Sequence, residues 1–358
     1  MNLIYILLAL LQFGIMITVH EYGHFISARM TGIAVQEFAV GFGPKLLQWK
    51  SRKHETLFTI RALPVGGYCM FYGDTDDDPK GEKYSEKADD PRNYNNAAVW
   101  KRMLSVVAGP VMNIVLAFLV AVALMMASGY TRIPPYISGI ESGMPAEAAG
   151  LRTGDIFIEV DGKSMEGEPL STVAASLASA KTDAPLAIVV QRDGTPVSLT
   201  VTPILDSEAG YPRIGIGMSN ARPMHAGEWL PGAWNMCANA AGAIWNTLGK
   251  LFTTGEGFND SVGPVGVVQV IAEQTQQNGF DMFFQLMILI SINLGMVNML
   301  PIPGLDGSRL VFMLLEAIRR KPVSNRVESA IHLVGYALLA GLMLFFTFRD
   351  VGRIFGIQ

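Results

Sequence analysis

The sequence predicts a polytopic α-helical membrane protein with four transmembrane helices, a membrane-associated β region and an inserted extracytoplasmic α+β domain. Composition is the first observation behind this. Half of the 358 residues are hydrophobic, 16% are charged and the mean hydropathy is +0.32, whereas globular domains carry about 25% charged residues. Clustering is the second. Residues 3–19, 104–127, 283–300 and 331–348 contain no Lys, Arg, Asp or Glu, and each is about long enough as a helix to cross a hydrocarbon core of ~30 Å. The third is the stretch between the second and third spans, where short strand-like runs alternate with Gly-containing turns.

The first helix is placed at residues 1–28. It lacks a basic n-region and a small-x-small cleavage site, which argues against a removed signal peptide. A loop follows at 29–102. Its runs "VQEFAVGFGPKLLQW" and "ETLFTIRALPVGGYCMFYG" are strand-like but broken by Gly and Pro, predicting a small sheet or hairpins beside the membrane. The polar "GDTDDDPKGEKYSEKADDPRNYNN" predicts a solvated, mobile loop. In the second helix, 103–128, Ala108, Gly109 and Asn113 predict close packing on one face.

A linker at 221–280 contains "AGEWLPGAWNMCANAAGAIWNTLGKLF", apolar and Trp-bearing yet interrupted by Asn, Gly and Pro. It reads as an amphipathic helix on the outer surface, because a fifth span would reverse the fourth helix against the charge pattern. The third helix is placed at 281–310, a loop at 311–330 and the fourth helix with a short tail at 331–350.

Orientation follows from Lys and Arg. The loop from 27 to 102 holds twelve of the 27, the short loop from 301 to 330 holds five, and the longer segment from 128 to 280 holds eight. The positive-inside rule then puts the first and third loops in the cytoplasm, with both termini and the long segment outside. Cys69 and Cys237 are too few for a disulfide framework. They fall in expected loops on opposite sides of the membrane, as free thiols that supply no thiolate metal site. The mild formal charge of −4 suggests no nucleic-acid partner.

Residues 129–220 change character. "YISGI" and "DIFIEVDGKSM" read as strands, "PAEAAGLRTGD" as a short helix and turn, and "PLSTVAASLASA" as a helix. "PLAIVVQRDGTPVSLTVTP" reads as two strands around an Asp-Gly turn, and "YPRIGIGM" as a further strand. The run "SGMPAEAAGLRTGDIFIEVDGKSM" resembles the bacterial PDZ signature, here in a single copy. That resemblance implies a groove in which an extended peptide adds as a strand.

The chemistry begins at "VHEYGHFI". His20-Glu21-Tyr22-Gly23-His24 fits H-E-x-x-H. On a helix, i and i+4 share one face, so His20 and His24 can converge on one zinc ion, with Glu21 placed to act as general base on a water. The pentapeptide alone is weak, because two helical His are often packed or surface residues. Its place at the end of an apolar helix raises the odds, since ionisable groups there generally line a bundle interior or a wet cavity. A catalytic zinc needs a third protein ligand and an open position. His54 and His225 lie in polar segments and His332 opens the fourth span, none with a partner motif. The distinctive downstream element is "NMLPIPGLDGSRL", where Pro301 and Pro303 break the helix and Asp306 follows. The first and third helices run the same way, so Asp306 is expected on the same side as His20 and His24, at similar depth.

HExxH in a first span with N-x-x-P-x-P-x-L-D-G in a third resembles the site-2 protease family of intramembrane zinc metalloproteases. Asn298, Pro301, Pro303, Leu305, Asp306 and Gly307 match the second motif. The PDZ module is similar to that of the bacterial RseP-type branch, as are "GFGP", "LPVGGY", "AGPVMN" and "GPVGV". The resemblance implies one catalytic Zn2+ held by His20, His24 and Asp306, with Glu21 as general base. Asn298 is implied near the substrate or oxyanion, with Pro301 and Pro303 in the same substrate-binding element. It also implies single-pass transmembrane peptide substrates, such as an anti-sigma factor already trimmed by another protease or remnant signal peptides. The PDZ groove would take a peptide or a new C-terminus, and the chain would sit in the bilayer of the bacterial inner membrane. Some relatives carry two tandem PDZ modules, and this chain has room for one.

Two readings of other classes compete. One is a proteolytically inactive membrane PDZ scaffold with a vestigial metal site, which Glu21 argues against. The other is a metal-ion transporter, which would need polar residues along several spans; the second and fourth offer almost none. A strand edge near "ETLFTIRALPVGG" is expected to pair with an unwound substrate.

Overall fold

The computed structural model describes residues 2–52, 55–74, 90–205, 211–257 and 262–354. His54 and most of the polar loop expected after residue 73 lie outside the described residues. In chain order the structure runs α1 (Leu3–Thr31), β1 (Val35–Lys50), β2 (Leu57–Phe71), α2 (Val99–Ser128), β3 (Tyr130–Ile140) and α3 (Pro145–Ala148). Next come β4 (Ile156–Val160), β5 (Lys163–Ser164), α4 (Leu170–Ala178), β6 (Leu186–Arg192), β7 (Thr195–Val201), β8 (Ile204–Leu205), β9 (Pro212–Arg213) and β10 (Ile216–Pro223). Four helices close the chain: α5 (Ala226–Thr254), α6 (Pro264–Asn298), α7 (Asp306–Arg319) and α8 (Asn325–Ile354). The chain divides into two compact units, Met1–Leu124 with Leu230–Gln358, and Met125–Trp229.

In the first unit, α1, α2, α6 and α8 are long and apolar enough to cross a membrane, and the chain is a multi-pass membrane protein. Their buried faces are the reverse of a soluble core. Along α1 the buried residues are Ala9, Gln12, Met16, His20, Gly23, His24, Ser27 and Ala28. Met16 apart, that is a stripe at helical spacing made of small and polar side chains, while Leu3, Leu7 and Leu11 face outward. In lipid, apolar surface has no reason to hide, so close packing of small residues and polar contacts governs which faces meet. α2 repeats the pattern with Ser105, Gly109, Asn113, Ala117 and Ala121 buried.

α6 is broken at Gly279, whose φ of 78° lies in the left-handed region. Its first half, 264–278, is helical where the sequence reading placed a linker. That half is pinned by Asp350 near the end of α8, whose buried carboxylate accepts the Gly263 and Gly266 amides at 3.2 and 2.7 Å. α5 is a continuous helix and is not one of the four candidate spans. Residues 306–310, expected at the end of the third span, and 311–319, expected in the loop, together form helix α7. Its Arg and Glu residues lower the hydropathy that a span would show. Cys69 and Cys237 are free, but they lie in β2 and α5 rather than in loops.

Strands β1 and β2 are long and bent, so that two strands build four rows. Phe38 has both Cys69 and Phe58 as partners, and Ala39 has both Tyr68 and Thr59. Phe58 and Thr59 also face Trp49 and Gln48. Leu57–Ile60 is therefore an interior row, and Gly67–Phe71 is an outer one. The edge expected near "ETLFTIRALPVGG", residues 55–67, is thus corrected in part: Leu57–Ile60 within that run is interior, and only Gly67 at its end joins the outer row. Both strands double back, β1 between Val40 and Leu47 and β2 between Ile60 and Gly67, a register effect that alternation alone does not reveal. Phe25 of α1 packs edge-on against Phe38 and Phe58 at 5.4 and 5.7 Å, seating the sheet on the first helix.

The second unit is a β-rich, PDZ-like domain. Its sheet runs β10-β3-β4-β6-β7, with β5 beside β4, and Asp193-Gly194 makes the tight β6–β7 turn with both φ values positive. Ile137, Phe157, Val160, Val173, Ile188 and Val190 form the core. A groove of about 440 Å³ separates α4 from the edge strand β10, between Leu177 and Ala178 on one wall and Ile216 and Met218 on the other. Asp155 is fully buried, receiving Arg192 at 2.7 and 2.8 Å and the Arg152 amide at 2.8 Å. Burial opposes its ionisation, but the hydrogen bonds from Arg192 and Arg152 outweigh it and hold the carboxyl below the ordinary carboxylate range.

A native-state pKa below the unfolded one means that Asp155 stabilises the domain fully above about pH 4 and loses that contribution as the pH falls further. Asp155→Asn should therefore weaken the protection of β4 and β6 amides at neutral pH and flatten its decline below about pH 4. Hydrogen exchange of the full chain, followed by mass spectrometry across that range, measures both.

Candidate metal centre

His20 and His24 lie on the buried stripe of α1, and Asp306 opens α7 after a break in the third span. Asn298 ends α6, and the chain turns through Met299–Leu305, where two prolines exclude a regular helix, before Asp306 begins the next one. The turn returns Asp306 to α1. His20 Nε2 lies 3.2 Å from His24 Nε2 and 3.1 Å from Asp306 Oδ2, and His24 Nε2 lies 3.5 Å from the same oxygen. These three residues are the one His, Cys, Asp or Glu group among the described residues arranged to share an ion.

The donor set fits zinc. Tetrahedral ligands at 2.0–2.1 Å from an ion sit about 3.3 Å from one another, and the three separations observed bracket that figure. Two neutral imidazoles and one carboxylate also match the ligand chemistry of a catalytic zinc, which leaves a fourth position open.

Helix α2 orients both imidazoles. His24 Nδ1 lies 2.9 Å from the Ser105 carbonyl, to which an Nδ1–H donates, leaving Nε2 directed at the cluster. The Asn113 amide lies 3.2 Å from His20 Nδ1. Turned with its oxygen towards the ring, it accepts the Nδ1–H and leaves Nε2 free. The sequence marked Asn113 only for packing, and the Ser105 contact is made by a backbone carbonyl with no side-chain signature. Gly109, also on α2, abuts the His24 ring so closely that any Cβ there would overlap the imidazole. Gly23 lets α1 meet the Ala108 backbone of α2 in the same way.

Glu21 lies outside the donor cluster but in the same cleft of about 290 Å³. The Cys69 amide, on the outer row of the sheet, is hydrogen-bonded to its carboxylate, and Gly67 of that row approaches its Cγ. Asn298 lines the cleft too, with Nδ2 3.5 Å from His20 Nε2. Pro301 and Pro303 are not among its lining residues; they break the backbone that carries Asp306 instead. His225 precedes α5, where its amide binds Glu228, and His332 is buried beside Phe312 and Tyr336. Neither reaches the cluster.

A helix-borne His pair, a neighbouring Glu and a returning Asp, all in one cleft of a four-span bundle, define a membrane-embedded metalloprotease. The chain belongs to peptidase family M50, whose model matches residues 8–342, the site-2 protease family of zinc metalloproteases, in its RasP/RseP-type group with a PDZ domain. Zinc metalloprotease RasP of Bacillus licheniformis is 31% identical over 97% of this chain and 98% of its own length. Regulator of sigma-W protease RasP of Bacillus subtilis is 29% identical over 96% of this chain and 97% of its own. The crystal structure of the PDZ domain of the SdrC-like protein of Listeria monocytogenes aligns with 25% of this chain and 90% of that domain, at 22% identity and a TM-score of 0.22.

Because Gly109 leaves no room beside His24, Gly109→Val should displace the imidazole and lower bound zinc at least tenfold while the helices remain folded. Metal analysis of the purified variant, with circular dichroism as the fold control, reads this directly.

Proposed function

We propose that the chain cuts single-pass membrane proteins within or at the edge of the bilayer, with His20, His24 and Asp306 holding one zinc ion and Glu21 acting as general base. The observation that carries this reading is the convergence of the three donors, 3.1–3.5 Å apart, in a cleft that also contains Glu21.

When bound, zinc supplies Lewis acidity that acidifies water and polarises the scissile carbonyl. Glu21 takes the proton of the attacking water and passes it to the leaving amine. The Cys69 amide keeps the Glu21 carboxylate turned into the cleft. Asn298, which lines the cleft beside His20, hydrogen-bonds the developing oxyanion in this reading. A helical peptide bond is guarded by its own hydrogen bonds, so the substrate must unwind first. The outer row Gly67–Phe71 offers backbone groups to an extended segment and fixes its register beside Glu21.

Distribution of Lys and Arg supports an orientation with the metal cleft near the cytoplasmic face of a bacterial inner membrane and the PDZ-like domain on the opposite side, with both termini. The groove between α4 and the edge strand β10 suits an extended peptide or a newly made C-terminus. RasP, a regulator of sigma-W protease matched over 97% of its length, links a relative to sigma-factor regulation; an anti-sigma factor trimmed by a prior cut is the substrate proposed here, and remnant signal peptides are a second class.

Glu21→Gln should retain zinc and lose at least 100-fold in cleavage of a single-pass reporter, whereas Asp306→Ala should lose zinc; turnover by the first or unchanged stoichiometry in the second removes the assigned role. Deleting residues 130–220 should let intact, untrimmed substrates be cut, and gel mobility of such a substrate in cells is the readout.

A further inference from the structure

We propose that two charge pairs, Arg309–Asp74 and Arg102–Glu316, clamp α7 and act as positioning residues for the Asp306 carboxylate. This rests on the assignment of Asp306 as a metal ligand. Asp306, Arg309, Met313 and Glu316 are spaced 3, 4 and 3 residues apart, which places all four on one face of α7. The face that delivers the carboxylate is thus the face that is anchored.

Each anchor has a different wall. Arg309 Nη1 lies 2.8 Å from Asp74 Oδ2, just past the end of β2, the strand whose outer row meets Glu21. Arg102 Nη2, from α2, lies 2.6 Å from Glu316 Oε1. α2 is also the helix that orients His20 and His24. Between the pairs, Met313 is buried and its sulfur accepts the Tyr94 hydroxyl at 3.8 Å. The Tyr94 ring stacks on Phe71 with centroids 5.0 Å apart, and Phe71 stands edge-on to His24. Arg309 itself lines both the catalytic cleft and the neighbouring polar pocket that contains Asp74, Arg102 and Glu316.

Apolar packing alone does not fix this helix. Only Gly307, Ser308 and Met313 of α7 are fully buried, while Val311, Leu314, Leu315 and Ile318 are exposed. The preceding turn is held by its own backbone bonds, the Leu305 amide to the Ile302 carbonyl at 3.0 Å and the Ser308 amide to the Leu305 carbonyl at 3.1 Å, which fix where α7 begins but do not reach its second and third turns. The paired side chains, in contrast, are only 7–20% exposed, so solvent and salt screen them less than surface pairs. Two pairs to two separate walls fix both the rotation and the height of α7, and with them the 3.1 Å approach of Asp306 to His20.

The test uses the purified full chain in detergent, following zinc transfer to a chromophoric chelator. Arg309→Ala and Glu316→Ala should release zinc about 10–100-fold faster than wild type, the usual cost of removing support from a ligand. For the same variants, kcat on a membrane peptide should fall more than KM rises, with helix content unchanged. Exchanging the charges, Arg102→Glu with Glu316→Arg, should restore retention, and Arg309→Lys should retain part of it. If wild type binds no zinc, the ligand assignment itself fails. If it binds one zinc and folded single variants release it at the wild-type rate, only the clamp is overturned. The clamp is equally overturned if release accelerates only in proportion to unfolded protein, or if the exchanged pair does not recover.

Discussion

Three donor groups brought together out of water are the constraint on which the membrane unit depends. Polar and charged groups are costly to desolvate without partners, and lipid offers nothing to hydrogen-bond them. The remedy is convergence and support from neighbouring backbone. His24 is satisfied by the Ser105 carbonyl and His20 by Asn113, both on α2. For α2 to come that near, Gly23 and Gly109 must stand where the helices and the His24 ring meet. The small-residue stripes of α1 and α2 are therefore set by the polar cluster. In a soluble protein the order would be reversed, with an apolar core deciding the packing and a polar site placed at its edge.

The sheet answers a second demand. A protease that works on helical substrates must offer their freed amides and carbonyls something in exchange, or local unwinding stays too costly in a low-dielectric setting. An outer strand row does so without requiring particular side chains, which suits the single-pass substrates proposed above. Folding β1 and β2 back into four rows leaves Gly67–Phe71 as the outer row next to α1 while Leu57–Ile60 is buried between neighbours. The same row gives the Cys69 amide to Glu21. In the proposed function, substrate register and base orientation are thus referred to one piece of backbone.

What could be read from the chain follows from which interactions are local. HEYGH, the charge-free spans and the Pro-x-Pro break act over a few residues and were legible, as were the Asp-Gly turn and strand runs of the PDZ-like unit. The proximity of Asp306 to His20 was legible only through topology, because equal helix direction and depth are countable from Lys and Arg. Helix α7 was not, since Arg309 and Glu316 dilute its hydropathy and its stripe is short. The row order of the sheet was missed because Thr59 and Tyr68 alternate equally well in either arrangement. Ser105 was missed because its contribution is a carbonyl that every residue carries.

The choice of a carboxylate as the third donor fits its place in the chain. Asp306 stands in the first turn of α7, where unpaired amides and the helix dipole favour negative charge. A histidine there would gain nothing from the dipole and would need another acceptor for its second nitrogen. Such acceptors exist on α2 for His20 and His24, yet α7 faces α2 with Glu316, already engaged by Arg102. A carboxylate needs no such acceptor: Asp306 meets His20 and His24 at 3.1 and 3.5 Å, and the dipole of the helix start favours its charge. The Pro-broken turn is what makes that helix start possible at this depth, by ending α6 at Asn298 and beginning α7 within reach of α1. Motif, fold break and ligand type are in this sense one solution to a single problem: presenting a negative group inside a membrane protein without leaving it unsolvated.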